Sequence, residues 1–576
     1  MARSLNWIPD TLYNYSITSV VSNYDSYIKD IKLFHGDLLF DVCLQLYKKG
    51  DLVRLARECE NLEVFAKLLK VTDKRNLLHN AFQALMDVGC PIALKLANGF
   101  QKYLLQSFHL DELKTIQLGF SLGSFLTDAG WYPESEIVYL TCLELSRRNT
   151  QTIGWSVIFE CLKRLLKVRT LYCKFKEAES TFQEALQSIQ LAERLGLRIN
   201  FAGLYSEFSA FYFMQCHSKE AYKWSEEAIK CLDSTLPTRE IINILCNASK
   251  ACLMKKCFKR GEFLIKQALV KARKCCGRRT LVMADALMDY GYFLLHIDST
   301  HHSITVYQEV LNILTSILGG QNLRVAAVHE DIAYACYVNE YKTGNFKDAK
   351  EHIEKACTIK ESLLSEDHFL LPSAKRITAL IFEEIANDSH DYETQHRLFQ
   401  RAEELHLSAL RVTKNYLGEM NVLAAKHYGN LGRLYQSMKK YGAAEEMLLK
   451  AITIKSTLLG GNDYEVAISV GHLASLYNYD MLLYKEAETL HLQAIDIGIT
   501  HFGKSYSGLE FEYRGLLRIY AHLGDGDSLS RMYSNLHDWK TLRDQLIEKE
   551  SKISPLDFKV SIVSPEKIYS LFISPT

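Results

Sequence analysis

The sequence predicts an all-α fold built from tandem pairs of helices, and three observations lead to this prediction. Among 576 residues there are 29 glycines and only 8 prolines, so few of the residues that interrupt helices are present. A pattern of small, bulky and small residues at positions i, i+4 and i+7 recurs along the chain, which places the three side chains on one helical face. With 48% hydrophobic residues, the chain has enough apolar surface to bury a large core.

Charge and cysteine content narrow the classes of function. Lys plus Arg and Asp plus Glu both number 68, so the chain lacks the positive excess that is typical of proteins binding nucleic acid or anionic membranes. Fifteen cysteines occur without a C-x-x-C pair, which favours reduced thiols over disulfides or zinc sites. We expect no metal or cofactor, no membrane span, and a cytoplasmic protein that also reaches the nucleus, cytoskeleton or membranes through partners.

Residues 1–50 carry a short helical motif. Thr11, Leu12, Ser16 and Val20 follow one another as small polar, leucine, small and aliphatic residues, and the last three share one helical face. This order resembles the box by which substrate receptors of ubiquitin ligases dock elongin C, in which the leucine fills a pocket. An amphipathic helix packed on the following repeats would show the same order. Residues 51–114 are predicted as a helical segment that caps the array.

Nine copies of the small, bulky, small pattern mark the second helix of each predicted pair, and most successive copies start 40 to 43 residues apart. The copies are Ser135/Tyr139/Cys142, Ala178/Phe182/Ala185, Ala221/Ser225/Ala228, Gly261/Ile265/Ala268, Ser303/Tyr307/Val310, Ala349/Ile353/Ala356, Ala402/His406/Ala409, Ala444/Leu448/Ala451 and Ala487/His491/Ala494. A tenth, degenerate copy is predicted from Gly508 to His537. Residues 541–576 contain three prolines and are predicted as a partly loose tail.

Gly123, Gly291 and Gly432 each stand twelve residues before one of these copies, on a preceding helix. Small residues let two antiparallel helices approach closely, while the bulky residue fills the gap against the neighbouring pair. The pattern resembles tetratricopeptide repeats, whose period of about 34 residues is here lengthened by roughly two helical turns, as in kinesin light chains. We therefore predict a tetratricopeptide-repeat superhelix of about nine to ten units over residues 115–540.

One string typical of an enzyme occurs within the first predicted pair. The letters GFSLG at residues 119–123 fit the G-x-S-x-G of hydrolases, which requires a preceding strand and a sharp turn. The segment that leads into Ser121 is instead helical, so the two glycines are predicted to serve helix packing. His406 and His491 occupy bulky positions of the repeats and are predicted as core residues rather than metal ligands. We predict a non-catalytic protein.

The chain also resembles one family in colinear order along nearly its whole length. The segments that carry the resemblance are WIPDTLYNYSITSVVSNY, FDVCLQLYKKG, LEVFAKLLKVTDKRNLLHNAFQALMD, FLTDAGWYPESE, HEDIAYACYV, KHYGNLGRLYQSM, EVAISVGHLASLYNYD and GLEFEYRGL. They are similar to the amyloid protein-binding protein 2 family. The resemblance implies a substrate receptor of a cullin-2 RING ubiquitin ligase that binds elongin C with elongin B and recognises arginine- and glycine-containing degrons at protein C-termini.

The same resemblance implies further sites and partners. Thr11, Leu12, Ser16 and Val20 would bind elongin C. Phe34, Leu38 and Val42 would bind the cullin, although the proline that usually follows a leucine there is absent from the segment LFHGDL at residues 33–38. The family is also described as binding the cytoplasmic tail of amyloid precursor protein and microtubules, so a trafficking adaptor is the alternative function. Self-association into a homo-oligomer is a further expectation for a repeat array.

Polar residues on the first helix of each repeat are the natural peptide contacts, since these helices line the concave side of such arrays. Lys426, Asn430 and Arg433 are predicted to grip a C-terminal carboxylate by charge-assisted hydrogen bonds. An acidic cluster in earlier repeats would receive an arginine of the same peptide. It consists of Asp285, Asp289, Glu330 and Asp331. Solvated helix surface would show similar charges.

Overall fold

The computed structural model describes residues 11–31, 33–106, 111–148, 154–340, 344–558 and 560–573. In these ranges the regular structure consists of helices, without a strand, which confirms the all-α prediction. The chain divides into two compact units. Unit 1 comprises residues 1–199 and 313–324, and unit 2 comprises residues 200–312 and 325–576. None of the described helices is long and apolar enough to cross a membrane.

Unit 1 begins with short helices and continues with the first two repeats. The short helices are Leu12–Ser22, Tyr24–Ile31, Gly36–Lys48, Leu52–Cys59, Leu62–Leu68, Arg75–Asp87 and Ile92–Gln106. Repeat 1 consists of Glu112–Asp128 and Tyr132–Arg148, and repeat 2 of Trp155–Leu171 and Phe175–Arg194. Side chains at the N-termini cap several of these helices by accepting backbone N–H groups that have no partner within the helix, as Asp51, Asn61 and Asp111 do.

Eight further pairs of helices follow, numbered here as repeats 3 to 10. Repeats 3 to 6 are Ala202–Met214 with Ser218–Lys230, Thr238–Met254 with Phe258–Cys275, Leu281–His296 with Thr300–Leu318, and Leu323–Glu340 with Lys347–Leu363. Repeats 7 to 10 are Pro372–Asp388 with Tyr392–Leu417, Val422–Ser437 with Tyr441–Leu459, Tyr464–Tyr479 with Tyr484–Phe502, and Leu509–Leu523 with Gly526–Ser551. The nine predicted patterns all lie on second helices, which confirms the repeat prediction.

The small residues act as predicted, by closing the gap between the two helices of a pair. A Cβ atom added to Gly432 would lie 2.6 Å from Leu448 Cγ, and one added to Gly291 would lie 2.5 Å from the Tyr307 ring. The Ser303 hydroxyl donates to the Gly291 carbonyl at 2.8 Å, so the small residue at the start of this pattern also links the helices. Close approach and interdigitation therefore form the core of each repeat.

The turn inside most repeats contains one residue with left-handed backbone geometry, which is glycine in repeats 1, 6 and 10 and another residue in six repeats. Cys216, Lys256 and Asp298 have φ values of 62°, 60° and 69°. The turn of repeat 3 shows the reason, because Cys216 N–H donates to the Phe213 carbonyl and His217 N–H to the Tyr212 carbonyl. These two bonds form a Schellman motif, which satisfies the last carbonyls of the first helix. In six repeats the glycine that would mark this turn in the sequence is therefore absent.

Within unit 2, repeats five apart along the chain contact each other. The Asn421 amide at the start of repeat 8 donates to the Gln215 carbonyl in the turn of repeat 3 at 3.0 Å. Ser507, at the start of repeat 10, donates to the Asp298 carboxylate in the turn of repeat 5 through its backbone N–H and its hydroxyl. The repeats of unit 2 therefore wind into a superhelix with about five repeats per turn, whose successive turns touch.

The C-terminal segment is more ordered than the sequence predicts. The second helix of repeat 10 continues to Ser551, past residue 540, and a further helix spans Pro565–Ile573. Ile568 and Phe572 on this helix are buried. The prolines suggested a loose tail, but proline is favourable at the first position of a helix, and the Ser564 hydroxyl accepts the Lys567 N–H at 3.4 Å.

Candidate functional site

The N-terminal helix Leu12–Ser22 leaves the predicted elongin-binding face open. Thr11 caps the helix by accepting the Asn14 N–H, and the opposite face buries Ile17 and Val21. The Leu12 side chain is 83% exposed, Thr11 and Ser16 are also exposed, and Val20 is partly buried. A leucine held out into solvent at the start of a capped helix is chemically suited to fill an apolar pocket of a partner.

The predicted cullin-contacting residues differ in their accessibility. Phe34 lies two residues before helix Gly36–Lys48 and Leu38 lies in its first turn, and both are partly buried. Val42 is fully buried, because it lies one turn beyond Leu38 on the side of the helix that faces the core of unit 1. Leu33, by contrast, is 80% exposed. A partner at this surface would therefore touch Leu33, Phe34 and Leu38, while Val42 supports them from within.

The predicted acidic residues lie on the first helices of repeats 5 and 6. Asp289 forms an ion pair of 3.0 Å with Lys250 on the first helix of repeat 4, and the two side chains are 22% and 20% exposed. Glu330 is buried in an ion pair with Lys360, whose ammonium also donates to the Leu370 carbonyl at 2.8 Å. Glu330 therefore holds the two helices of repeat 6 together.

Asp285 and Asp331 are both partly exposed. Burial, with the adjacent Glu330 carboxylate as a smaller contribution, raises the pKa of Asp331 to about 8. At neutral pH this carboxyl group is therefore mainly protonated, so it offers a hydrogen-bond donor as well as an acceptor. Asp289 and Asp285 occupy the same helical face one turn apart, which leaves them as the acidic pair best placed to meet a cationic side chain.

The predicted basic residues are also paired with carboxylates. Lys426 lies 2.7 Å from Glu465, on the first helix of the next repeat. Burial alone would raise the pKa of Glu465, but Lys426 and Lys455 outweigh it and hold this pKa far below the ordinary value of a glutamate. Asn430 is partly exposed one turn beyond Lys426. Lys426 and Asn430 thus present donors side by side on one helix.

Arg433 makes the most extensive set of contacts in this row. Its guanidinium donates to Glu383 at 2.9 Å and to the Tyr337 hydroxyl at 3.1 Å, and it lies 3.3 Å from Glu384. Glu383 is 1% exposed, so Arg433 neutralises a buried carboxylate of the preceding repeat. The main role of Arg433 is therefore to link repeats 6, 7 and 8. Only 18% of its side chain is exposed and can contact a ligand.

Sequence reasoning found one partner of each of these ion pairs and missed the other, namely Lys250, Lys360, Glu383 and Glu465. The register of the repeats was a usable signal for Lys250. The Ser249 hydroxyl donates to the Gly261 carbonyl at 2.8 Å, so Ser249 has the role of Gly432 and Lys250 the position of Arg433. Together these residues form a charged row on the first helices of repeats 4 to 9. The row contains cations in repeats 4 and 8 and carboxylates in repeats 5, 6, 7 and 9, so it suits a ligand that carries both signs of charge.

The hydrolase-like string lies within a helix. Ser121 is in the middle of Glu112–Asp128, and its hydroxyl donates to the Gln117 carbonyl at 2.9 Å. The space beside Gly119 and Gly123 is filled by Cys142, Phe100 and the Tyr139 ring, as the packing prediction requires. His406 is fully buried, as predicted for a bulky position. Among the described residues no group of three or more His, Cys, Asp or Glu is placed to hold a metal ion.

Comparisons with known proteins found a matching family model, close relatives in two organisms, and similar solved structures. A family model described as tetratricopeptide repeat matches residues 390–457. The amyloid protein-binding protein 2 of mouse is 46% identical over 547 residues, which are 94% of this chain and 94% of that protein, and the rat protein matches to the same extent. A kinesin light chain repeat structure from Podospora anserina is 14% identical over 38% of this chain and 98% of its own, with a TM-score of 0.29. The quorum sensor NprR of Bacillus thuringiensis is 12% identical over 66% of this chain and 98% of its own, with a TM-score of 0.42.

Proposed function

The chain belongs to the amyloid protein-binding protein 2 family, and from that premise we propose that it is the substrate-recognition subunit of a cullin-2 RING ubiquitin ligase. In this function the N-terminal helix docks elongin C, which is joined to elongin B, and the repeats hold the protein to be ubiquitinated. The exposed face of helix Leu12–Ser22 is the observation that carries the proposal. The catalytic step belongs to the RING module, and this chain supplies two binding surfaces.

Leu12 is the residue on which the elongin contact depends. A leucine that is 83% exposed contributes little to folding, whereas its transfer into a pocket of a partner is worth about 1.5–3 kcal/mol. Ser16 lies one turn further along the same face, and its small side chain allows close approach of the partner helix. Phe34 and Leu38 would extend this surface towards the cullin.

The test is recovery of elongin C with elongin B by the full chain and by its Leu12→Asp variant. An aspartate in the first turn of a helix interacts favourably with the helix dipole, so the substitution leaves the helix itself intact. We expect at least tenfold weaker elongin binding, which corresponds to a loss of about 1.4 kcal/mol. Val53→Asp is the matched control, because Val53 is 76% exposed on helix Leu52–Cys59. Equal recovery of the Leu12→Asp and Val53→Asp variants would contradict the elongin assignment.

The charged row is the surface we propose for C-terminal degrons. Lys426 and Asn430 would hold the terminal carboxylate, and Asp285 and Asp289 would receive an arginine further upstream in the peptide. Since Lys426 is paired with Glu465 and Asp289 with Lys250, a bound peptide exchanges these ion pairs for its own. The net gain therefore comes from matching both signs of charge at once, which selects peptides that carry a carboxylate and an arginine.

Peptide binding separates this proposal from solvated helix surface. A labelled peptide with an upstream arginine and a free C-terminal glycine is titrated into the full chain, and its C-terminally amidated form is titrated in parallel. We expect the amide, and the double variant Asp285→Asn with Asp289→Asn, each to bind roughly tenfold or more weakly. The exposed Asp367→Asn serves as the control. Unchanged affinity in both comparisons would exclude the charged row as the degron site.

The alternative is a trafficking adaptor, and the name of the mouse and rat relatives favours it, since those proteins are named for binding an amyloid protein. In that function the repeats hold the cytoplasmic tail of amyloid precursor protein and the chain associates with microtubules. The two functions differ in what Leu12→Asp does. Loss of degradation of a bound protein in cells, with binding of that protein retained, supports the ligase. Unchanged degradation supports the adaptor.

A further inference from the structure

The C-terminal segment lies on the second helices of repeats 3 and 4 in the manner of a bound peptide. Gln267, which is 2% exposed on helix Phe258–Cys275, contacts two backbone groups of this segment. Its amide nitrogen donates to the Ser561 carbonyl at 3.0 Å, and its amide oxygen accepts the Val563 N–H at 3.0 Å. One buried side chain thus holds two backbone groups of this non-helical stretch, a contact that does not depend on which side chains the stretch carries.

Two apolar side chains anchor the helix that follows. Ile568 and Phe572 are four residues apart, so they share one face of Pro565–Ile573, and they are 3% and 2% exposed. The Phe572 ring stacks on Tyr222 of repeat 3 at 5.8 Å, and the Arg260 guanidinium of repeat 4 lies 6.0 Å from the same ring. Arg260 also donates to the Tyr222 hydroxyl at 3.1 Å, which fixes the two receiving side chains relative to each other.

The rest of the segment makes a looser attachment. Tyr569, Leu571 and Ile573 are 37%, 43% and 45% exposed, although they belong to the same helix. The described residues of the stretch 552–564, which joins this helix to repeat 10, contain no helix, and the Phe558 ring packs against Tyr290 of repeat 5 at 5.7 Å. The tail is therefore held by a few separate anchors, and its covalent link to repeat 10, which raises its local concentration, adds to this limited burial in keeping it in place.

From these contacts we infer that Tyr222, Arg260 and Gln267 form a peptide-docking surface, distinct from the charged row, which the chain's own tail occupies and which a segment of a partner protein takes over. The partner segment has the same chemistry as the tail. Two or three extended residues precede a short helix that carries an aliphatic and an aromatic residue four positions apart. A partner can bind only while the tail is displaced, so its apparent affinity is lowered in proportion to the fraction of molecules whose docking surface is free.

The experiment frees the surface without altering it. In the full chain, Ile568→Asp with Phe572→Asp places two charges on the buried face of the tail helix, while all the receiving side chains stay unchanged. The probe is a labelled synthetic peptide of residues 557–573, and its binding is followed by fluorescence polarisation. We expect the tail-released variant to bind it at least about tenfold more tightly than the unaltered chain does.

Further variants show where the probe binds. In the tail-released variant, Gln267→Ala is expected to abolish binding of the probe, because the backbone amide and carbonyl then lose their only shared partner side chain. Gln400→Ala, on the exposed side of repeat 7, is the matched control and should leave binding unchanged. A probe that carries Asp at the position of Phe572 should fail to bind.

Two results would overturn the inference. The first is a tail-released variant that keeps its helical circular dichroism and binds the probe no better than the unaltered chain. The second is tight binding that persists when Gln267→Ala is added. Should the tail-released variant lose its fold, amide exchange in the unaltered chain decides instead. The amides of residues 566–573 must then exchange faster than those of helix Phe258–Cys275, and equal protection would mark the tail as a permanent part of the fold.

Discussion

Substitution of Asp298 tests whether contacts between repeats five apart stabilise unit 2. The Asp298 carboxylate accepts the Ser507 N–H at 2.8 Å and the Ser507 hydroxyl at 2.6 Å, and it pairs with the Arg543 guanidinium at 2.6 Å. The side chains of Arg543 and Asp298 are only 11% and 14% exposed. In Asp298→Ala, Arg543 keeps its charge in a largely dry site and loses its carboxylate partner.

The expected loss follows from these contacts. Removal of one partner from a buried ion pair costs about 3–5 kcal/mol, since the remaining charge stays desolvated. Asp298 also has a φ of 69°, and alanine tolerates this left-handed geometry less well than aspartate or asparagine, by roughly 1 kcal/mol. Asp298→Asn keeps the backbone geometry and one oxygen acceptor but removes the charge, so its expected cost is smaller, about 1.5–3 kcal/mol.

Hydrogen exchange measured by mass spectrometry locates this loss. We expect the amides of repeat 10 in Asp298→Ala to exchange roughly a hundredfold faster, which corresponds to about 3 kcal/mol. The control is Asp367→Ala, because Asp367 pairs with Arg411 at 3.1 Å while the two side chains are 72% and 67% exposed. An exposed pair of this kind contributes at most about 1 kcal/mol. Equal exchange in the two variants would refute the stabilising role of the contact between repeats 5 and 10.

Two further predictions concern packing and acid. Gly432→Ala should lower the free energy of unfolding, measured by denaturant titration, by about 1–3 kcal/mol, because its new Cβ meets Leu448 Cγ at 2.6 Å and the Ala444 carbonyl oxygen at 3.0 Å. Gly442→Ala is the control, since its Cβ has no atom within 4 Å, and it should be neutral or slightly stabilising in the same titration. Burial lowers the pKa of His296 to about 4 and that of His427 to about 3, from 6.5 in the unfolded chain. The unfolded chain therefore binds more protons at these two histidines below pH 6.5, so their contribution to stability should fall as the pH drops from 6.5 to about 4, whereas the raised pKa of Asp331 acts in the opposite direction. Comparison of variants in unfolding at pH 7.5 and pH 5 isolates the histidine contribution: His427→Phe should lose less stability on acidification than the unaltered chain, and the exposed His537→Phe should behave like the unaltered chain. The same pH dependence in His427→Phe and in the unaltered chain would contradict the reasoning.

The helix pairs were predictable because their signals are local. The spacing of Ala444, Leu448 and Ala451 places them on one face whatever the rest of the chain does, and Gly432 marks the helix against which they pack. The N-terminal motif was predictable for the same reason, although only the structure showed that Leu12 is exposed while Ile17 and Val21 are buried. In the tail, the count of prolines concealed a local signal, Ser564 followed by Pro565, that starts a helix.

The sequence by itself thus determined a repeating helical scaffold, its register and the family to which the chain belongs. Only the tertiary structure decided which charges meet, as between Arg433 and Glu383, and that the Asp298 turn lies against Ser507. These contacts depend on the small rotation from each repeat to the next, which accumulates over several repeats. The sequence of a single repeat does not determine this accumulated rotation. The pairing of charged side chains between repeats and the docking of the tail therefore follow only from the structure of the whole array.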